Sequence, residues 1–153
     1  MKKLSAGINY ASYAVGELTV VALRDGHIDM PASLLHREGN RSFESELPVQ
    51  VELHEGKLRL SVNAFLVIER DRLILIDTGA ANSLEPFYGP SMGLLLQALK
   101  EAGIAREEIE TVAFTHTHED HVNGLVVADG SDAFPNLQRL FVPKEEVSRF
   151  DNN

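Results

Sequence analysis

The sequence predicts an α+β fold, a mixed β-sheet with flanking helices. Three observations carry that prediction. Between residues 49 and 76, alternating and then continuous apolar runs are separated by short polar turns, the pattern of neighbouring strands. Between 94 and 102, Leu94, Leu95, Ala98, Leu99 and Ala102 recur at helical spacing as one apolar stripe. Beyond that helix the β-prone run Thr111-Val112-Ala113-Phe114 reads as a buried strand.

The bulk numbers fit one soluble domain. A chain of 153 residues is long enough to bury a core, and a single domain is expected over 1–153. There is no cysteine, so neither a disulfide scaffold nor a thiolate metal site can form. The net charge of −9 argues against a broad nucleic-acid footprint or an anionic membrane surface, and neither partner is expected. No apolar run is long enough to span a bilayer. Met1-Lys2-Lys3 is followed by Ser5, Asn9, Tyr10, Ser12 and Glu17 rather than an apolar block, so no export signal is read and the cytoplasm is the expected compartment.

Taken in order, residues 1–14 read as a frayed or surface-draped start. Glu17 to Leu23 is a strand, and Asp25-Gly26 signals a turn into a short partner at 27–30, a hairpin. Residues 31–48 form a long loop with a helical turn near 32–36. Met30, Leu34, Leu35 and Phe43 could line a substrate mouth there or simply pack the loop onto the body. Val49, Val51 and Leu53 alternate with polar residues as a half-buried strand. Glu55-Gly56 turns the chain into a strand over 58–69, and Arg70-Asp71 turns it again into Arg72–Ile76, apolar enough to be central. That strand ends in Asp77-Thr78-Gly79, where a carboxylate before a tight glycine turn is either a turn cap or a site residue. Ser91 is a candidate N-cap for the helix that follows and Gly103 its C-terminal stop. Arg106-Glu107-Glu108 suggests a short polar helical turn. After the strand at 111–114, residues 122–126 suggest a turn into a short helix, 138–142 a strand, and Pro143-Lys144-Glu145-Glu146 a helix start.

The chemistry gathers in Thr115-His116-Thr117-His118-Glu119-Asp120-His121. Three of the six histidines fall there, with a carboxylate among them. Imidazole and carboxylate are the nitrogen and oxygen donors that zinc and its neighbours prefer. If the chain stays extended past the strand, His116 and His118 project to one side and can converge on one ion. Asp120 and His121 follow as the chain turns away and could serve a second. The alternative is three solvent-facing histidines on a polar loop. His27, His36 and His54 lie in or beside turns and read as surface residues, while Phe87 and Tyr88 either edge a pocket or pack a loop.

With Leu73–Ile76, Asp77-Thr78-Gly79, the helix at 92–102 and this motif together, the chain resembles the metallo-β-lactamase superfamily, whose His-x-His-x-Asp-His signature is complete at His116, His118, Asp120 and His121. The segment 89–103, the Ala133–Asn136 turn and Phe141-Val142-Pro143 look most like the branch of N-acyl-homoserine lactonases and methyl parathion hydrolase-like enzymes. The resemblance implies the first half of an αββα sandwich. It implies two divalent metal ions, zinc first, with iron, manganese and cobalt compatible. His116 and His118 would bind one ion, Asp120 and His121 the other, with Asp120 also counted as catalytic. Asp77 would orient the motif from behind its ligands. The glycine usual after the motif is replaced by Asn123, with Gly124 still in place. The family's further histidine and aspartate ligands have no counterpart after His121, so the domain is expected to be truncated at its C-terminus, with an apolar sheet face uncovered.

The expected activity is a metal-dependent hydrolase in which metal-activated water attacks a lactone, ester or phosphotriester. The ligands each ion lacks would come from a missing C-terminal half or from a homodimer partner. The competing expectation is an incomplete fragment of the fold that acts as a dimerising or binding module.

Overall fold

The computed structural model describes residues 1–37, 41–42 and 51–147. Ten strands are present among them: β1 (Lys2–Ala6), β2 (Tyr10–Val15), β3 (Leu18–Met30), β4 (His36–Arg37), β5 (Arg41–Ser42), β6 (Leu53–His54), β7 (Lys57–Glu69), β8 (Arg72–Ile76), β9 (Thr111–Ala113) and β10 (Arg139–Phe141). Four short helices accompany them: α1 (Glu85–Tyr88), α2 (Leu95–Glu101), α3 (Glu119–Val122) and α4 (Lys144–Val147). The main sheet runs β1-β2-β3-β7-β8-β9-β10, with β6 against β7. It is antiparallel as far as β8; β9 and β10 then add in parallel. The expected mixed sheet with flanking helices is therefore present, and β8 is central to it. Among the described residues no helix is long and apolar enough to cross a membrane.

The core forms where the sheet meets α2. Leu23, Leu66, Leu75 and Val112 come from four neighbouring strands, and Leu95, Ala98 and Leu99 from the apolar stripe of α2. Each fully buried Leu or Val there contributes roughly 1.5–3 kcal/mol relative to exposure. A smaller cluster of Ile28, Val62, Ala80 and Leu84 packs beside it. Along β7, Ala64 and Leu66 are fully buried whereas Phe65 between them is 43% exposed, the two-sided alternation of a strand with one covered face. Leu60, Leu140 and Phe141 are further large apolar side chains on the surface.

Several elements depart from the sequence expectations. Residues 2–15 are not frayed; β1 and β2 form an antiparallel hairpin that extends the sheet. Their polar, small-residue sequence carries little apolar period; backbone pairing places them, with Tyr10 packed against the core and Asn9 tied to Glu101. Asp25-Gly26 is not a hairpin turn. β3 runs unbroken past it and pairs with β7 from Thr19 to Met30, with a bulge between Arg24 and Gly26. Gly26 is required there because a β-carbon would lie 2.0 Å from the Ser91 carbonyl oxygen. Ser91 does not cap α2: its carbonyl accepts from the His27 N–H at 3.1 Å, and α2 opens at Leu94 with no local side-chain cap. Of the strand expected from Val49, the described residues show Leu53–His54, with Val51 and Leu53 exposed; Val49 and Gln50 lie outside the described residues. The helical turn near 32–36 is a 3-10 turn at Ala32–Leu34, and the polar turn at Arg106–Glu108 is likewise 3-10. The short helix expected after residue 122 begins earlier, at Glu119, and continues as a 3-10 turn over Asn123–Leu125.

Candidate metal centre

The site lies at the ends of the two parallel strands β8 and β9. β8 finishes at Ile76, and Asp77 follows in the left-handed region at φ 61°, a conformation that a short polar side chain tolerates. The Asp77 N–H donates to the Ala113 carbonyl at 3.0 Å, so the last residues of both strands are tied before the chain leaves the sheet. The strand expected over 111–114 ends at Ala113; Phe114 to His118 are loop, so the condition of an extended strand through His116 and His118 is not met, and Glu119, Asp120 and His121 form the first turn of α3. Tertiary contacts, not strand alternation, therefore bring the histidines together.

Those contacts radiate from Asp77, whose side chain is almost fully buried. Its Oδ1 accepts the Thr115 N–H at 2.8 Å. Its Oδ2 accepts the Thr115 hydroxyl at 2.8 Å and the His121 Nδ1 proton at 2.9 Å. With Nδ1 engaged, His121 is left with Nε2 for other partners, and that atom stands 3.4 Å from Asp120 Oδ2. The His116 ring centroid lies 4.0 Å from that of His121 and 4.5 Å from that of His118. Burial, followed by the repulsion of His121 and His118, holds the His116 imidazole below the usual histidine range and favours its neutral form. The four motif residues predicted from sequence thus gather in one place, with Asp77 behind two of them. Among the described residues no three His, Asp or Glu side chains enclose a single point as a finished metal site does.

The loop is held from two further directions. Thr117 donates through its N–H at 3.2 Å and through its hydroxyl to Glu146 Oε2 on α4. The N–H and hydroxyl of Thr78 both donate to the His121 carbonyl, at 2.7 and 2.8 Å, and the Gly124 N–H donates to the Gly79 carbonyl at 3.0 Å. A β-carbon on Gly124 would lie 1.8 Å from the Thr78 carbonyl oxygen, so this second glycine is the one the close approach demands. Asn123, at the position where glycine is usual, instead donates its side-chain amide to Ser83 Oγ at 2.9 Å.

Behind Asp77 sits a residue that sequence reasoning missed. Asp25, at the β3 bulge, is fully buried. Its Oδ2 accepts the Ala80 N–H at 2.9 Å and its Oδ1 the Leu95 N–H at 3.1 Å, so it caps α2 from another element and anchors the turn after Asp77. Gly79 packs so closely that a β-carbon would lie 2.4 Å from Asp25 Cγ. Burial pushes the Asp25 carboxyl up despite the backbone N–H groups that favour its charged form. An Asp-Gly pair is also a common turn signal, and no local feature of sequence separates the two roles.

A cleft of about 510 Å³ opens beside His118 and Asp120, lined also by Ile28, Met30, Leu60, Val62 and Leu84. Met30, one of the candidate mouth residues, is therefore at the site. Leu34 is exposed away from that lining, and Phe43 lies outside the described residues. Phe87 is exposed and lines no part of this cleft; the side chain of Tyr88 lies outside the described residues. His54 is exposed, His27 is half-buried 3.9 Å from Asp29, and the His36 side chain is again outside the described residues.

Comparison with known proteins matches this architecture. Residues 58–129 match the family model of the metallo-beta-lactamase superfamily. AidC, a dizinc quorum-quenching lactonase solved in complex with a product, is 26% identical, with a TM-score of 0.78 over 95% of this chain and 48% of its own. AbOPH, a hydrolase in the beta lactamase superfamily, is 32% identical, with a TM-score of 0.74 over 94% of this chain and 47% of its own. A quorum-quenching N-acyl homoserine lactone lactonase shares the fold at 22% identity and a TM-score of 0.59. No curated protein matches significantly. Residues 58–129 thus match the metallo-β-lactamase superfamily in sequence and the chain shares the fold of its solved members, spanning about half the length of those relatives.

Proposed function

We propose that the chain contributes the metal-binding half of a metal-dependent hydrolase acting on a lactone, ester or phosphotriester. The observation that carries this reading is the convergence of His116, His118, His121 and Asp120 at the strand ends, with Asp77 holding the motif from behind. The donor set fits a divalent ion: three imidazoles and a carboxylate, with Nδ1 of His121 already occupied. His116 and His118 would hold one ion and Asp120 and His121 a second, zinc being the first choice. When bound, such ions supply an activated water and polarise the oxygen of the bond under attack. The chain's own residues do the rest. Asp77 keeps His121 turned toward the site, Thr78 holds the backbone of His121, and Ile28, Met30, Leu60, Val62 and Leu84 give the cleft an apolar lining suited to an uncharged substrate.

Two donors per ion are fewer than a catalytic zinc site uses. In this reading the others come from residues equivalent to the rest of the solved relatives' chains, or from a second copy of this chain. The lactone possibility follows from what AidC is named for, and the apolar cleft is compatible with it.

The test is metal analysis after dialysis, combined with hydrolysis of a lactone, an aryl ester and a phosphotriester by the protein and by His118→Ala. Near-stoichiometric metal and turnover of at least one substrate, both reduced at least tenfold in His118→Ala, are expected. A metal-free, inactive protein that gains neither property with added zinc would leave the binding-module alternative in its place.

A further inference from the structure

We propose that Thr115 is a positioning residue that passes the influence of Asp77 on to His116, so that one buried carboxylate sets the ring tautomer of two histidines. The functional consequence rests on the metal-centre reading above; the tautomer assignment does not. A threonine hydroxyl has one proton and can donate once. Thr115 Oγ1 lies 2.8 Å from Asp77 Oδ2 and 3.0 Å from His116 Nδ1. The carboxylate has no proton to give, so the hydroxyl proton points to Asp77. Thr115 Oγ1 can then only accept at its second contact, and His116 Nδ1 must carry the hydrogen. The opposite arrangement would face a hydroxyl lone pair against a buried anion with nothing between them, which is costly where Asp77 is almost out of reach of water.

The result for His116 is a lone pair on Nε2. His121 reaches the same state directly, because its Nδ1 donates to the same Asp77 oxygen at 2.9 Å. The Thr115 N–H, bonded to Asp77 Oδ1 at 2.8 Å, fixes the residue at a second point, so its hydroxyl is already in place before any ion arrives. A free imidazole has no such constraint. One carboxylate thus prepares two Nε2 atoms as ligands, one through a direct bond and one through a hydroxyl.

The measurement is a long-range proton–nitrogen correlation spectrum of the histidine rings in ¹⁵N-labelled, metal-free protein at about pH 8, where imidazoles are neutral. It is run on the native chain, on Thr115→Val, which keeps the shape without the hydroxyl, and on Thr115→Ser, which restores it. His116 is expected to carry its proton on Nδ1 in the native chain and in Thr115→Ser, and to lose that preference in Thr115→Val, while His121 keeps Nδ1–H in all three. Zinc affinity, read by competition with a chelating dye, is expected to fall about tenfold to a hundredfold in Thr115→Val and to recover in Thr115→Ser. A native His116 protonated on Nε2, or a His116 tautomer indifferent to the valine, overturns the proposal. Should the valine variant not fold, the native spectrum still decides. The expected tautomers in a chain that binds no zinc would uphold the relay and overturn the metal-centre reading instead.

Discussion

Asp25 illustrates how much one side chain decides at the residue scale. Its two oxygens satisfy the N–H of Ala80, beyond the Asp77 turn, and the N–H of Leu95, at the start of α2. Replacing it with alanine leaves both donors buried without a partner, at about 1–3 kcal/mol each. Asp25→Ala is therefore expected to lose about 2–5 kcal/mol in urea denaturation. It should also loosen the Asp77 turn, seen as faster amide exchange at Ala80 and Leu95. A variant within 0.5 kcal/mol of native, about the size of an ordinary surface change, would contradict that assignment. The residue was invisible to sequence reading because Asp followed by Gly reads first as a turn. By contrast the grouping of His116, His118, Asp120, His121 and Asp77, proposed here as the metal site, was legible, because ligand chemistry restricts residue type and spacing together.

At the scale of elements, α2 joins the core to the N-terminal hairpin. Glu101, in its last turn, accepts the Asn9 N–H at 3.0 Å and the Asn9 side-chain amide at 2.8 Å. The Asn9 backbone donor first, then its side chain, hold the Glu101 carboxyl below its ordinary value of 4.5. A depressed carboxyl contributes stability above its unfolded value and loses it as pH falls through the folded one. The native chain is therefore expected to melt higher than Glu101→Gln above about pH 4.5, the gap closing as the solution is made more acidic. Melting curves of the two proteins across that range check it, and a gap that widens in acid would refute it. The strands expected at 58–69 and 72–76 and the apolar stripe of α2 followed from hydrophobic period, and the structure has them to within a residue, at Lys57–Glu69, Arg72–Ile76 and Leu95–Glu101. The N-terminal hairpin and the unbroken β3 did not, since backbone pairing leaves little trace in side-chain pattern.

For the whole molecule, the proposed site, assembled from the ends of β8, β9 and α3, would tie ion binding to the folded state, because an unfolded chain does not bring those groups together. Zinc at a hundredfold excess over its dissociation constant adds about 2.7 kcal/mol. For a chain of this size that is roughly a 5–10 °C rise in melting temperature. The rise should be absent in His118→Ala; an equal rise in both proteins would place the ion elsewhere. Sequence alone determined the mixed sheet, its central strand, the principal helix and which residues are proposed as donors, because burial period and ligand chemistry are written in residue type. Only the tertiary structure decided that the histidines meet through loop contacts rather than along a strand, that Thr115 bridges Asp77 and His116, and that Asp25 anchors the turn behind Asp77. It also decided that Gly79 and Gly124 are forced by close approach. Those features depend on which distant backbone comes within hydrogen-bonding reach, a property of how strands β3, β8 and β9 and helix α2 pack together that no single stretch of chain encodes.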